Sequence, residues 1–452
     1  NAVPAIVLFV ALLVLPQSRL RGHRQLRSRE LAFRPTWNGT GLFCIGTIVA
    51  AIFLATTVST PDLFSLNRMW GLAIVGLSVI PIVGYAGRLS LCQMTFAGIG
   101  AVMVGHLGGS GNPLSLLAAA GACAVAGVLV ALPALRLSGI YFALSTAAFA
   151  TAMDAWVFPL PAFNLFGHQF APFGTGSLTF APFRLFGWTL ASKETQFIVG
   201  SVLFVVLVGL VVLVRRSEFG SQLFAFKDSP VACATLGMNT RLLPIAVFAF
   251  SAAVAGIGGA LYGQALGSTA PDIFQFFTGL SVLLTMVIVG IGSVGAAVGT
   301  GYFLGGPTLA NFFPSLLQLQ TVLVGGSAVG VGTSPNGMIP SGLRPVWGSV
   351  VRRRALLVGV IVAVVGLWAL RVGGVIDNWT LVWTLLAIVV LCSIVPYAID
   401  RRRGDAPAAW GMPAVVRAAP GAVPRPAPLA LEGVSSLQGS ASTVAGTGSH
   451  GA

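Results

Sequence analysis

The sequence predicts an all-α, polytopic membrane protein with roughly ten transmembrane helices, broken or re-entrant segments included. Three observations carry that fold class. Only 8% of the 452 residues are charged, where a soluble globular protein has about 25%. Apolar residues make up 56% of the chain, and the mean hydropathy is +0.91. The apolar residues fall into uncharged runs that approach or exceed the ~20 residues needed to cross a bilayer. Too little charge is present to cover a soluble surface. A soluble enzyme, a nucleic-acid-binding domain and a disordered chain are therefore excluded as classes.

The runs locate the elements in order. Residues 4–15 are a short apolar piece, read as the end of a helix. The chain starts at Asn1 rather than Met, so it is expected to be a fragment or a processed product, and no signal-peptide pattern is present. Candidate spans follow at 41–58, 69–86, 89–107, 114–134, 139–158, 196–214 and 244–266. Residues 273–342 carry no charge and are too long for one helix; Pro307, Pro314 and Pro335 break them. One full span is expected near 279–300, then two shorter segments. A final hairpin is expected at 355–370 and 380–397. The tail from Arg401 is rich in Pro, Ala, Gly and Ser and is expected to be disordered. The domain reading is a partial helix and basic segment at 1–38, a transmembrane core at 39–350, an added hairpin at 351–400 and a tail at 401–452.

Charge sets the orientation. Arg19, Arg21, Arg24, Arg27, Arg29 and Arg34 precede the first full span. Alternating sides from there puts Arg88, Arg136, Arg215, Arg216, Lys227, Arg241, Arg344, Arg352, Arg353, Arg354, Arg401, Arg402 and Arg403 on the same face. With Arg417 and Arg425 in the tail, 21 of the 25 basic residues share that face. Arg68, Arg184, Lys193 and Arg371 fall opposite. The basic face is expected to be cytoplasmic. The net charge of +14 thus reads as membrane anchoring, with no nucleic-acid partner.

The interior offers little acid–base chemistry. Asp154, near the outer end of its span, is the one carboxylate inside a run, and a proton relay would need more. His23, His106, His168 and His450 are isolated, and the five cysteines form no CxxC pair, so no metal site is expected. The only lysines, Lys193 and Lys227, follow no Gly-x-x-x-x-Gly-Lys-Ser/Thr phosphate loop. No catalytic set of acid, base, nucleophile and metal is present, so the chain is not expected to be an enzyme. Small residues recur at fourfold spacing: Gly259, Gly263 and Gly267, then Gly295 and Gly299, then Gly301 and Gly305. That spacing lets helices approach closely, and also lets them rock.

Three further stretches stand out. Residues 84–100 read Gly-Tyr-Ala-Gly-Arg-Leu-Ser-Leu-Cys-Gln-Met-Thr-Phe-Ala-Gly-Ile-Gly. Their glycines can interrupt a helix, and Ser90, Gln93 and Thr95 can satisfy freed backbone or contact a solute; the same pattern suits a polar turn. Residues 159–195 form a long outer loop, a lid, a docking surface or a plain connector. Residues 217–239 form a long cytoplasmic loop in which 221–227 suits a short helix and Pro230 opens a second. Leu223, Phe224 and Phe226 are apolar there, which suits a partner surface or an interfacial helix on lipid.

These stretches carry a resemblance. The pattern at 84–101, the run Leu-Arg-Leu-Ser-Gly-Ile-Tyr-Phe-Ala-Leu at 135–144, and the loop residues Ser217, Glu218, Phe219, Gly220, Ala225, Ala232, Leu236 and Gly237 followed by 248–262 resemble the LivM-type permease subunit of branched-chain amino-acid ABC transporters. The likeness covers roughly 40–345. Cys92 stands where that family has Gly, Lys227 where Arg is common, and Pro81 interrupts a helix. The first 25 residues resemble the end of the LivH-type partner permease, as in a fused pair cut between its halves.

The resemblance implies a permease subunit of an importer for branched-chain or related amino acids in the bacterial inner membrane. It implies a second, LivH-like permease, two ABC ATPase subunits and an extracytoplasmic solute-binding protein as partners. ATP and Mg would be used by the ATPase subunits, with no cofactor in this chain. Glu218, Phe219, Gly220, Phe224, Lys227, Asp228 and Gly237 would couple to the ATPase. Tyr85, Gly87, Ser90, Gln93, Tyr141 and Thr146 are expected near the solute path. A rival reading is an ion-gradient-driven carrier with backbone carbonyls near 84–90 holding an ion.

Overall fold

The computed structural model describes residues 37–306 apart from short breaks at 59, 109–110, 135–139, 161–162, 166–167, 175, 186–187, 190 and 292, and isolated positions between 359 and 387. The expected N-terminal remnant, the two segments after 307, the final hairpin and the tail lie outside the described residues, isolated positions of the hairpin excepted.

Eleven helices follow in order among the described residues: α1 (Trp37–Thr57), α2 (Thr60–Val79), α3 (Gln93–Leu107), α4 (Leu114–Ala134), α5 (Ile140–Ala152), α6 (Lys193–Arg216), α7 (Glu218–Asp228), α8 (Pro230–Thr235), α9 (Leu242–Leu266), α10 (Phe276–Val289) and α11 (Val294–Gly305). Wide, π-helical turns extend α2 over Ile80–Tyr85 and α5 over Met153–Val157. Among the described residues six helices are long and apolar enough to cross a membrane, and α3 and α11 are shorter apolar helices.

α2 and α9 form the centre. α9 packs on α2, α3 and α4, and α2 also meets α6 and α11. Lipid offers helices no hydrophobic reason to associate, so close van der Waals packing must hold them. Small residues supply it. A Cβ on Gly259 would overlap the carbonyl of Ala97, and one on Gly100 would overlap that of Gly256, so α9 meets α3 backbone to backbone. Gly301 meets Met69 and Gly305 meets Arg68 in the same manner, seating α11 on α2. The fourfold glycine pattern is only partly a seam. Gly267 instead ends α9 with φ +76°, a left-handed conformation that glycine alone adopts at little cost, and Gly295 faces open space.

Two boundaries differ from the sequence expectation. α2 begins at Thr60 and contains Asp62 and Arg68; charges are tolerated near a helix end, so the uncharged run understated it. The expected single span at 279–300 is split. α10 stops at Val289, Gly290 turns with φ 116°, and Ser293 caps α11 by accepting from Ala296 N. The two halves double back: Gly76 on α2 lies close to both Met286 and Ala297, and Gly305 returns to Arg68. Gly290, which lies outside the fourfold glycine pattern, ends the helix.

The outer loop is folded. Three short antiparallel pairs form, β1–β2 (Phe163–Leu165 with His168–Phe170), β4–β5 (Arg184–Leu185 with Trp188–Thr189), and β3 (Leu178–Thr179) with β6 (Ser268–Thr269) beyond α9. Phe158, Phe173 and Phe274 pack edge to face or tilted at 5.5–6.0 Å. His106 bonds the carbonyls of Ala171 and Pro172 at 2.9 and 3.2 Å, and Gln264 Nε2 donates to Ala181 O at 2.7 Å. The segment therefore covers the outer ends of α3 and α9.

Candidate functional site

Two constellations hold the chemistry: a buried polar knot and the segment α7–α8 at the basic end of the bundle.

The knot joins α2, α3 and α9. The wide turn at Ile80–Tyr85, with Pro81 near its start, ends α2, and residues 86–92 lead into α3 at Gln93. Gln93 is buried. Its Nε2 donates to Ser251 Oγ at 3.2 Å and Ser90 Oγ at 3.4 Å, and its Oε1 accepts from Ser78 Oγ at 2.9 Å. Ser251 Oγ donates to Ser78 O at 2.6 Å. Thr146 on α5 accepts from Leu91 N at 3.1 Å. Buried polar groups are costly unless paired, and here a single glutamine amide satisfies serines from three parts of the chain. In this conformation the knot clamps the helices.

The segment α7–α8 is built by caps. Ser217 Oγ accepts from Gly220 N, and Glu218 lies in the first turn and Lys227 in the last turn of α7, all favourable to its ends. Ser229 and Pro230 open α8. A Cβ on Gly220 would overlap Val214 O, so only glycine fits the α6–α7 corner. Lys227 Nζ donates to Gly84 O at 3.1 Å, a carbonyl in the wide turn of α2. Arg215, 4% exposed, places its guanidinium 3.6 Å from the Phe224 ring centroid and 5.7 Å from that of Tyr85. Tyr85 and Phe224 stack at 5.5 Å. Arg88 lies between Phe142 and Phe226 at 5.3 and 5.5 Å. Burial holds the Arg88 guanidinium below its ordinary pKa, yet arginine stays charged at neutral pH. Cations on aromatic faces gain most where water is excluded, so α7 is tied firmly to the inner end of α2.

The expected residues divide among these places. Ser90, Gln93 and Thr146 meet around the knot. Tyr85 and Gly87 lie against α7 instead; Gly87 has φ +66°, and the Lys227 stem runs past it. Tyr141 is 68% exposed on α5, apart from the others. Phe219 and Gly237 line a groove of about 480 Å³ together with Gln222, Leu236, Met238 and Leu242. Glu218 and Asp228 are exposed on α7. Leu223 and Phe226, expected on a partner surface, are buried, because α7 turns its apolar face to the bundle. The exposed large apolar residues of the segment are Val231 and Leu236.

Sequence reasoning missed Ser78, Ser251, Arg88 and Arg215 as site residues. The serines carry no local signal. The arginines read as topology markers, and only the aromatic residues at 85, 142, 224 and 226 hint at their ring contacts. The rival ion site loses one of its carbonyls, since Gly84 O accepts from an ammonium group.

Among known proteins, the family described as "Branched-chain amino acid transport system / permease component" matches residues 63–326. The high-affinity branched-chain amino acid transport system permease protein LivM of Escherichia coli (strain K12) is 30% identical over 283 residues, 57% of this chain and 65% of that one. LivM of Salmonella typhimurium is 30% identical over 243 residues, 50% of this chain and 56% of that one. The permease protein LivH of the same organism is 29% identical over 126 residues, 26% of this chain and 41% of that one. The chain thus spans less than two thirds of each of these relatives. No solved structure matches it. With the matched region running from the start of α2 past the end of α11, and with its apolar helices, this multi-pass membrane protein belongs to the branched-chain amino acid transport permease family.

Proposed function

We propose that the chain is the transmembrane permease subunit of an ABC importer that carries branched-chain or related amino acids across a bacterial inner membrane. A LivH-like second permease, two ATPase subunits that use ATP and Mg, and an external solute-binding protein complete the assembly. The names of the LivM and LivH relatives support the substrate class and the second permease.

One observation carries the mechanism: the tie of α7 to the inner end of α2, through Lys227 Nζ on Gly84 O and Arg215 on Phe224 and Tyr85. An ATPase subunit seated in the groove at Phe219, Leu236 and Gly237 moves α7 and α8 when it closes. The tie passes that movement to the wide turn of α2. Eight residues beyond that turn lies Gln93, whose bonds to Ser78 and Ser251 hold α2, α3 and α9 together. Parting those bonds opens the bundle around Ser90, Gln93 and Thr146, and the solute passes there. The glycine contact between α3 and α9 lets the helices shift without side chains colliding.

The test is transport in vesicles holding the whole assembly. Lys227→Glu and Phe224→Ala should each leave ATP hydrolysis running while uptake falls. Full coupling in both variants overturns the assignment of α7. Alanine at Ser90 and Gln93 should change uptake with hydrolysis intact, and unaltered uptake removes them from the path.

A further inference from the structure

The outer part of the bundle holds a small cavity apart from both constellations. It lies between α2, α6 and α9, has a volume of about 30 Å³, and is walled by Asn67, Trp70, Phe183, Gln196, Gly200 and Gln264 among others. Two residues of this wall each bury a polar atom without a hydrogen-bond partner among the described residues: Trp70 its indole Nε1–H and Gln264 its Oε1. The residues are 3% and 7% exposed.

Their chemistry is complementary. Gln264 Nε2 donates to Ala181 O; a carbonyl can only accept, so the amide orientation is fixed and Oε1 is left as an unused acceptor. Trp70 is held by Phe197 and Phe204, at ring distances of 5.5 and 5.4 Å, and its Cδ1, the atom bonded to Nε1, is its nearest to Gly200 on the cavity wall. The indole can only donate. Two residues of one cavity wall therefore carry a lone donor and a lone acceptor.

We propose that this cavity is a water-binding site, in which a water accepts from Trp70 Nε1–H and donates to Gln264 Oε1, bridging α2 to α9. The volume holds one or two waters. A metal cation would be repelled by the indole N–H, and an anion by the amide oxygen. The water also links the outer segment to α2, because the same glutamine holds Ala181.

Two readouts on the full chain in lipid nanodiscs test this. The first is the resonance Raman band that reports indole hydrogen bonding, isolated as wild type minus Trp70→Phe. The second is radiolytic hydroxyl labelling, which marks side chains that touch bound water. A hydrogen-bonded Trp70 band, with Trp70 labelled several-fold faster than its buried neighbours Phe197 and Phe204, is the expected result. Gln264→Leu should shift the band towards the free form. A free N–H band in the wild type overturns the proposal. So does a bonded band with labelling no faster than that of Phe204, since the partner would then be protein. If either variant fails to fold, labelling of the unmodified chain decides alone.

Discussion

The two ends of the bundle are closed by different physics. At the outer end, phenylalanine rings, short strand pairs and bonds to backbone carbonyls lay the segment before α6 over α3 and α9. Those contacts of the segment are neutral, and the charged groups near them are few: Lys193 Nζ lies 5.2 Å from the Phe64 ring centroid and the Asp154 carboxylate accepts from Phe276 N. At the inner end, guanidinium and ammonium groups bind α7 to α2 through ring faces and a single carbonyl. Neutral packing has one good arrangement and resists displacement. A cation held on ring faces and a carbonyl ties two elements so that they move together, so the inner closure is the one suited to transmit movement.

The strongest way to break the contrast is at the α6–α7 corner. Gly220→Val would press a side chain into Val214 O and Arg215 O, and overpacking against backbone should cost about 3 kcal/mol. Detergent titration should show early unfolding, and the outer segment should keep its protease resistance until then. Arg215→Ala comes next. Loss of a desolvated cation from Phe224 should cost about 2 kcal/mol and loosen α7, seen as faster amide exchange over 218–228. Gln264→Leu addresses the outer end. Releasing Ala181 O should cost about 1 kcal/mol and speed trypsin cleavage at the exposed Arg184, with exchange over 218–228 unchanged. Arg216→Ala, which removes an exposed guanidinium 4.7 Å from the Trp37 ring centroid, should cost about 0.5 kcal/mol. If that last change loosened α7 as much as Arg215→Ala, the inner closure would be a diffuse charge effect and the contrast would fall.

Topology was the most legible layer. Residues assigned to the basic face do meet, as Lys227 with Gly84 and Arg216 with Trp37, and residues assigned opposite meet at the far end, as Lys193 with Asn67. Charge is excluded from the bilayer core, so its placement sorts residues to one end of the bundle or the other, yet it counted one span at 279–300 where two helices stand. The split between α10 and α11 was not legible, because glycine marks close packing and helix ends alike. The coupling segment was legible as a region through its polar, Pro-punctuated run. Its inward face was not, since the ring partners of Arg215 and Arg88 come from distant parts of the chain. Gln93 stood out as an amide among apolar residues, whereas Ser78 and Ser251 became meaningful only when α2 and α9 came together.

The wide turn at the end of α2 is a change of phase. A residue added to a helical turn rotates everything beyond it by about 100°. Ala86 N bonds back to Pro81 O, five residues away instead of four, so Tyr85 and the carbonyl of Gly84 point where an unbroken helix would not send them. Removing one residue from Ile80–Tyr85 would restore ordinary winding and turn both away from Phe224 and Lys227, leaving every amino acid of the coupling segment intact but addressed to the wrong side of the helix.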